Sequence, residues 1–250
     1  YKGRALARKL ASWRPSGDVL DVGCALGTLL LGIREHSAWS VRGLEFTAGA
    51  AALGRALNGV EIVHAGLTQA PWPEASFDCI HINNVLEHER DPAAALAAAA
   101  RLLRPGGRLL LTLPNGPVDL MPNLTLFHRL GRALPTRHGG HLFFLSPRAV
   151  KILLGRAGLA LVSIQGFHLR LGMKARGWLP GSYEPLLHPP QAELGPAAGP
   201  SSPEDIERLR ALIGPKPGWP AYLAQRWWNR LWRSGNCSFG YDLEVTAEKI

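Results

Sequence analysis

Cysteine is scarce in this chain. Cys24, Cys79 and Cys237 are the only three in 250 residues and none stands in a CxxC spacing, which excludes a disulfide framework and offers no zinc-finger ligand set. Long apolar runs are also missing: none approaches the roughly 18 residues that a membrane-spanning helix needs, and the N-terminal YKGRALARKL lacks a signal-peptide apolar stretch. The expectation is a soluble or membrane-peripheral, cytoplasmic protein. Its first residue is Tyr1 rather than Met, so native sequence is expected ahead of it. Acidic residues are few as well, 19 against 28 basic, for a net charge of +9. The deficit is local: residues 120–235 carry 15 Lys+Arg against 5 Asp+Glu, and the remainder 13 against 14. A near-neutral first half suits a cofactor-binding module, and the basic segment is where a substrate or surface would be met. An arginine-rich composition, 22 of the 28 basic residues, is the alternative reading.

What is present is ample core material, 46% hydrophobic, enough for one domain spanning residues 1–250 with a long insertion. Short apolar runs at Val19–Val22, Val41–Phe46, Val60–Val63, Phe77–Ile82 and Arg108–Leu113 alternate with helical patterns at Leu26–His36, Ala48–Leu57 and Pro92–Leu103. That alternation predicts a parallel sheet with helices on both faces. Asp91 before Pro92 marks one helix start, with a stop at Arg104–Gly107; Ser146 before Pro147 marks another helix, running through Arg156. A sixth strand follows at Leu159–Ile164. From Gly166 to Gly235 the chain turns rich in Pro, Gly and Arg, and we expect an insertion there before a final edge strand around Tyr241–Ala247.

The stretch VLDVGCALGTLL, Val19–Leu30, carries an apolar strand through a glycine turn into a helix. Gly23 and Gly27 would let a nucleotide-like ligand approach the backbone, although an ordinary strand-to-helix turn has the same pattern. Glu45, 18 residues after Gly27, ends the second strand, where a carboxylate accepts hydrogen bonds from both hydroxyls of a ribose. A solvated strand-end charge is the plainer alternative. A nicotinamide dehydrogenase would use the same crevice, but its fingerprint needs glycines at 23, 25 and 28, and the chain has Gly23, Ala25 and Thr28.

VLDVGCALG, Glu45, PWPEASFDCIHINNVLEH (Pro71–His88), RLLRPGGRLLLTLPN (Arg101–Asn115) and, more loosely, HLFFLSPRAVKILLGRAGL (His141–Leu159) occur in this order. In this the chain resembles the class I S-adenosylmethionine-dependent methyltransferases, the small-molecule and quinone-pathway group. The resemblance implies a Rossmann-like, seven-stranded α/β sheet with helices on both faces and S-adenosyl-L-methionine as cofactor. It implies that the backbone of Gly23, Cys24, Ala25 and Gly27 faces the methionine part, with Asp21 near its cationic end. Glu45 would hold the ribose and Phe46 would pack on the adenine. Asn83 and Asn84 would lie beside the methyl donor. The family often has Gly at the place of Ala25, and Gly-Asp where this chain has Gly66–Leu67, so adenine recognition falls to backbone groups or to Thr68 or Gln69.

The donor is an activated sulfonium, so transfer needs mainly in-line placement of a nucleophile. A hydroxyl nucleophile gains from a base, and His88 and His141 are the candidates, with a helix-surface or packing role as the alternative for each. His138 and His141 have no third ligand in view, so no metal site is expected. The fourth strand ends in NNVLEH rather than the Asn/Asp-Pro-Pro-aromatic signature of base amino methylation, which argues against nucleic acid as partner. In AYLAQRWWNRLWRSG, Ala221–Gly235, Arg226, Arg230 and Arg233 share one helical face opposite Ala224, Trp228 and Leu231. That suits an anionic membrane interface or a lid over an apolar pocket, and equally a helix packed on the sheet. The expected activity is methyl transfer to a small-molecule acceptor, O-methylation first, with a lipid-like or glycan-type substrate. An RNA methyltransferase using the basic insertion and a non-catalytic cofactor-binding module are the rivals. The sequence carries no signal of oligomeric state.

Overall fold

A computed structural model describes residues 2–118, 120, 141–167 and 242–250. Seven strands, β1 (Ser16–Val22), β2 (Ala38–Glu45), β3 (Glu61–His64), β4 (Phe77–Asn83), β5 (Leu103–Pro114), β6 (Leu159–Phe167) and β7 (Asp242–Lys249), form one sheet in the order β3-β2-β1-β4-β5-β7-β6. The first five pair in parallel and β7 runs antiparallel to both neighbours. Among the described residues, helices α1 (Lys2–Trp13), α2 (Thr28–His36), α3 (Ala48–Asn58), α4 (Pro92–Leu102) and α5 (Pro147–Arg156) accompany them.

Alternation along the strands builds a core on each face. Leu20, Val22, Ile80, Ile82, Leu109 and Leu111 pack with Leu96 and Ala99 of α4 and with Val150 and Leu154 of α5. The intervening Val19, Cys79 and Leu110 meet Leu10 of α1 and Ile33 of α2 on the other face. Both expected caps form: the Asp91 side chain accepts from the Ala94 N–H and that of Ser146 from the Ala149 N–H. At the amino ends of the strands, Arg104 Nη1 bonds Asp18 Oδ2 at 2.9 Å and Asp78 Oδ2 at 2.5 Å, while Arg14 Nη1 reaches Asp78 Oδ1 at 2.8 Å. This ionic cluster ties β1 and β4 at the end of the sheet away from the crevice.

Four expectations are corrected. The last strand is not an edge: β7 lies between β5 and β6, because Leu243, Val245 and Ala247 are buried and both backbone edges are paired, leaving β6 at the border. The helix from Pro92 stops where expected, at Leu102, but the next strand does not wait for Arg108: Leu103 already pairs with Phe77 and β5 runs through Arg104–Gly107 with an irregularity where Gly106 takes φ +69°. α2 starts at Thr28, with Gly27 as its left-handed cap. β6 runs to Phe167, past the expected start of the insertion at Gly166. The rest of that segment, with His138 and the Trp/Arg stretch 221–235, lies outside the described residues.

Candidate active site

Strand order reverses between β1 and β4, so their carboxyl ends open a crevice at the switch point, where ligands of doubly wound sheets bind. The turn after β1 borders it. Gly23 and Gly27 both have φ +71°, and a Cβ on Gly23 would strike the Val85 side chain, so this loop passes close to the segment after β4. Ala25 is also left-handed, at φ +48°, a region where a Cβ costs on the order of 1 kcal/mol. Its conformation is held by a hydrogen bond from the Ala25 N–H to Glu45 Oε2 at 2.9 Å.

Glu45 is 9% exposed, and its other oxygen, Oε1, accepts from the Thr47 N–H at 2.8 Å. One carboxylate thereby fastens the glycine turn to the end of β2, and each oxygen keeps a lone pair for a further donor. Phe46, next in sequence, is 81% exposed, an aromatic face held out beside that carboxylate. A buried acid, an open aromatic and a turn bounded by two glycines fit the ribose, base and amino-acid parts of an adenosyl ligand. Below them, Leu67 is buried in the main core, while Thr68 and Gln69 are exposed on the 3-10 turn Leu67–Gln69. The Gln69 side-chain oxygen lies over Gly66. Of this group only Thr68, Gln69 and the backbone present polar atoms outward.

Two features of the site escaped the sequence reading. Asp21, 4% exposed, accepts a hydrogen bond from His81 Nδ1 at 2.7 Å, the two being register partners across β1 and β4. A polar residue inside each of two apolar strands, VLDV and CIHI, was the available signal for such a pair. Cys24 packs its sulfur against Gly43 of β2, and burial, with Asp21 and Glu45 nearby, pushes its thiol up to about 12. Its side chain therefore belongs to the scaffold, whatever its backbone contacts.

The second feature lies beyond β4. Asn83 and Asn84 are exposed at its end, Asn84 at φ +52°, with its N–H bonded to the Thr112 carbonyl at 2.9 Å. The 3-10 turn Leu86–His88 follows. His141, far away in sequence, comes to this turn: the His88 and His141 rings meet edge to face with centroids 4.9 Å apart. Glu87, which the sequence reading passed over, is buried beside them. The two candidate bases are thus brought together, and both border the crevice end of β4.

The family model described as methyltransferase domain matches residues 2–164. The ubiquinone biosynthesis O-methyltransferase of Xanthomonas axonopodis pv. citri is 31% identical over 164 residues, 62% of this chain and 68% of that protein. The demethylmenaquinone methyltransferase of Mycolicibacterium vanbaalenii is 30% identical over 132 residues, 53% of this chain and 57% of that protein. Among the curated relatives it matches, the chain spans from 31% to 68% of their length. Among solved structures, an S-adenosylmethionine-dependent methyltransferase from Mesorhizobium loti superposes with a TM-score of 0.56 at 17% identity, covering 100% of this chain and 98% of that one, a likeness of fold.

Proposed function

From the premise that this chain belongs to the class I S-adenosylmethionine-dependent methyltransferases, we propose that it methylates a hydroxyl oxygen of a small, lipid-like or glycan-type acceptor. S-adenosylmethionine supplies a methyl group already activated on a sulfonium. The chain's own part is placement. Glu45 accepts from the ribose hydroxyls while holding the turn 23–27 in its left-handed shape, and Phe46 stacks on the adenine. Thr68, Gln69 and the Gly66–Leu67 backbone read the base edge. Asp21, oriented by His81, contributes negative charge toward the ammonium end.

The observation that favours an oxygen nucleophile is the meeting of His88 and His141 beside Asn83 and Asn84. Either imidazole takes the hydroxyl proton as the oxygen closes on the methyl carbon, help worth about 10²–10⁴ in rate. Two quinone-pathway methyltransferases among the relatives agree with an acceptor carrying an apolar tail, and so does the Trp- and Arg-rich sequence of residues 221–235. The segment after β6, residues 168–235, is our candidate cover for that substrate.

The test is an acceptor screen scored by methyl transfer, followed by His141→Ala. Turnover should fall by about 10²–10⁴ with little change in S-adenosylmethionine affinity. Unchanged turnover would make His141 structural, and methylation of nitrogen or carbon would overturn the oxygen assignment.

A further inference from the structure

The end of β4 holds more chemistry than a single base requires. Glu87, His88 and His141 present one carboxylate and two imidazoles whose donor atoms all lie within 4.8 Å of one another. Backbone, rather than side-chain chance, sets this meeting. The Leu142 and Phe143 N–H groups both donate to the Glu87 carbonyl, at 2.8 and 3.2 Å, and the His88 N–H donates to the Val85 carbonyl at 2.9 Å. The segment that carries His141 is therefore clamped onto the turn that carries the other two.

Glu87 is 1% exposed, so its carboxylate is held inside the protein beside the two imidazoles. Its Oε1 is 4.0 Å from His88 Nε2.

We infer that Glu87, His88 and His141 bind a divalent transition-metal cation of the zinc type. Imidazole nitrogen with one carboxylate oxygen is the donor set such cations take, and three protein ligands leave a position open, as catalytic sites do. Metal–ligand bonds of about 2.0–2.2 Å put donors roughly 3–3.5 Å apart. The role of the cation rests on the O-methylation reading. With the cation bound, the two imidazoles are ligands and the cation takes over the role given above to an imidazole base: the acceptor's hydroxyl oxygen takes the open position and loses its proton to solvent at a lower pH than it otherwise would. The oxygen–carbon bond then forms as the carbon–sulfur bond breaks, and S-adenosylhomocysteine departs.

The purified chain, stripped with a chelator, is titrated with Zn²⁺ alone by calorimetry and with Co²⁺ followed by visible absorption. S-adenosylmethionine binding is measured on the same samples. One saturable site per chain is expected. His141→Ala and His88→Gln, both outside the packed core, should each weaken zinc by at least about 100-fold, since loss of a mere outer-shell partner already costs about 10–100-fold. Cofactor affinity should hold in both, which certifies their fold. No saturable zinc binding by the parent chain, or binding that survives both variants, overturns the site. Cofactor binding without zinc binding would remove the metal and leave the methyltransferase reading standing. Zinc binding without cofactor binding would do the reverse.

Discussion

Glu45 fastens the glycine turn through the Ala25 N–H and, in the function proposed above, also accepts from the ribose, so one substitution removes both. In Glu45→Ala the ribose loses its acceptors and the turn loses the bond to the Ala25 N–H, so S-adenosylmethionine should bind more weakly by about 1.5–3 kcal/mol. Glu45→Gln keeps one oxygen and should fall between the two. Calorimetry measures both, and an unchanged dissociation constant for Glu45→Ala refutes the ribose role. The buried thiols give a pH prediction. Burial pushes Cys24 and Cys79 from 9.0 up to about 12, so both stay protonated in the folded chain when the unfolded chain has begun to ionise. Between pH 9 and 12 the folded state binds more protons, and stability should decline as pH rises through that window. Urea denaturation across this range checks the slope. At pH 8, iodoacetamide should leave both thiols unlabelled in the native protein and label them once it is unfolded.

At the scale of elements, α1 and α2 approach so closely that glycine is required at their crossing. A Cβ on Gly3 would come within 2.6 Å of the Leu29 carbonyl oxygen and 2.7 Å of Gly32 Cα, both backbone atoms that cannot swing aside. In an exposed helix, Gly→Ala adds about 0.8–1 kcal/mol of stability. Here the sign should reverse: Gly3→Ala should lower the urea midpoint, and a rise would mean that α1 does not pack as described. α1 was missed in the sequence because its stretch was weighed only as a leader. Its buried positions Gly3, Ala7 and Leu10 nevertheless repeat at helical spacing. The caps at Asp91 and Ser146 were legible because they are local, a side chain satisfying an amide three residues on.

For the whole molecule, the charge is concentrated in residues 120–235, most of them outside the described residues. If this part meets an anionic membrane on the way to a lipid-like acceptor, vesicles with acidic headgroups should bind the chain at low salt and release it at high salt. Trp228→Ala with Arg230→Ala should reduce that binding and leave cofactor affinity alone; no sedimentation with vesicles at low salt removes the membrane contact. Among the described residues no helix is long and apolar enough to cross a bilayer. The strand–turn–helix order, the glycines at 23 and 27 and the acid at 45 could all be read in one dimension, because hydrophobic period, turn chemistry and cap chemistry act over a few residues. Sheet order could not. That β7 enters between β5 and β6 depends on which backbone edges remain to be paired, a condition of the assembled sheet. The same holds for the two pairings that shape the site. Asp21 meets His81 through strand register, and His141 reaches Glu87 and His88 through main-chain bonds across a long stretch of sequence. Local sequence sets the elements and the glycine turn; Glu87, His88 and His141 converge only when the chain closes on itself.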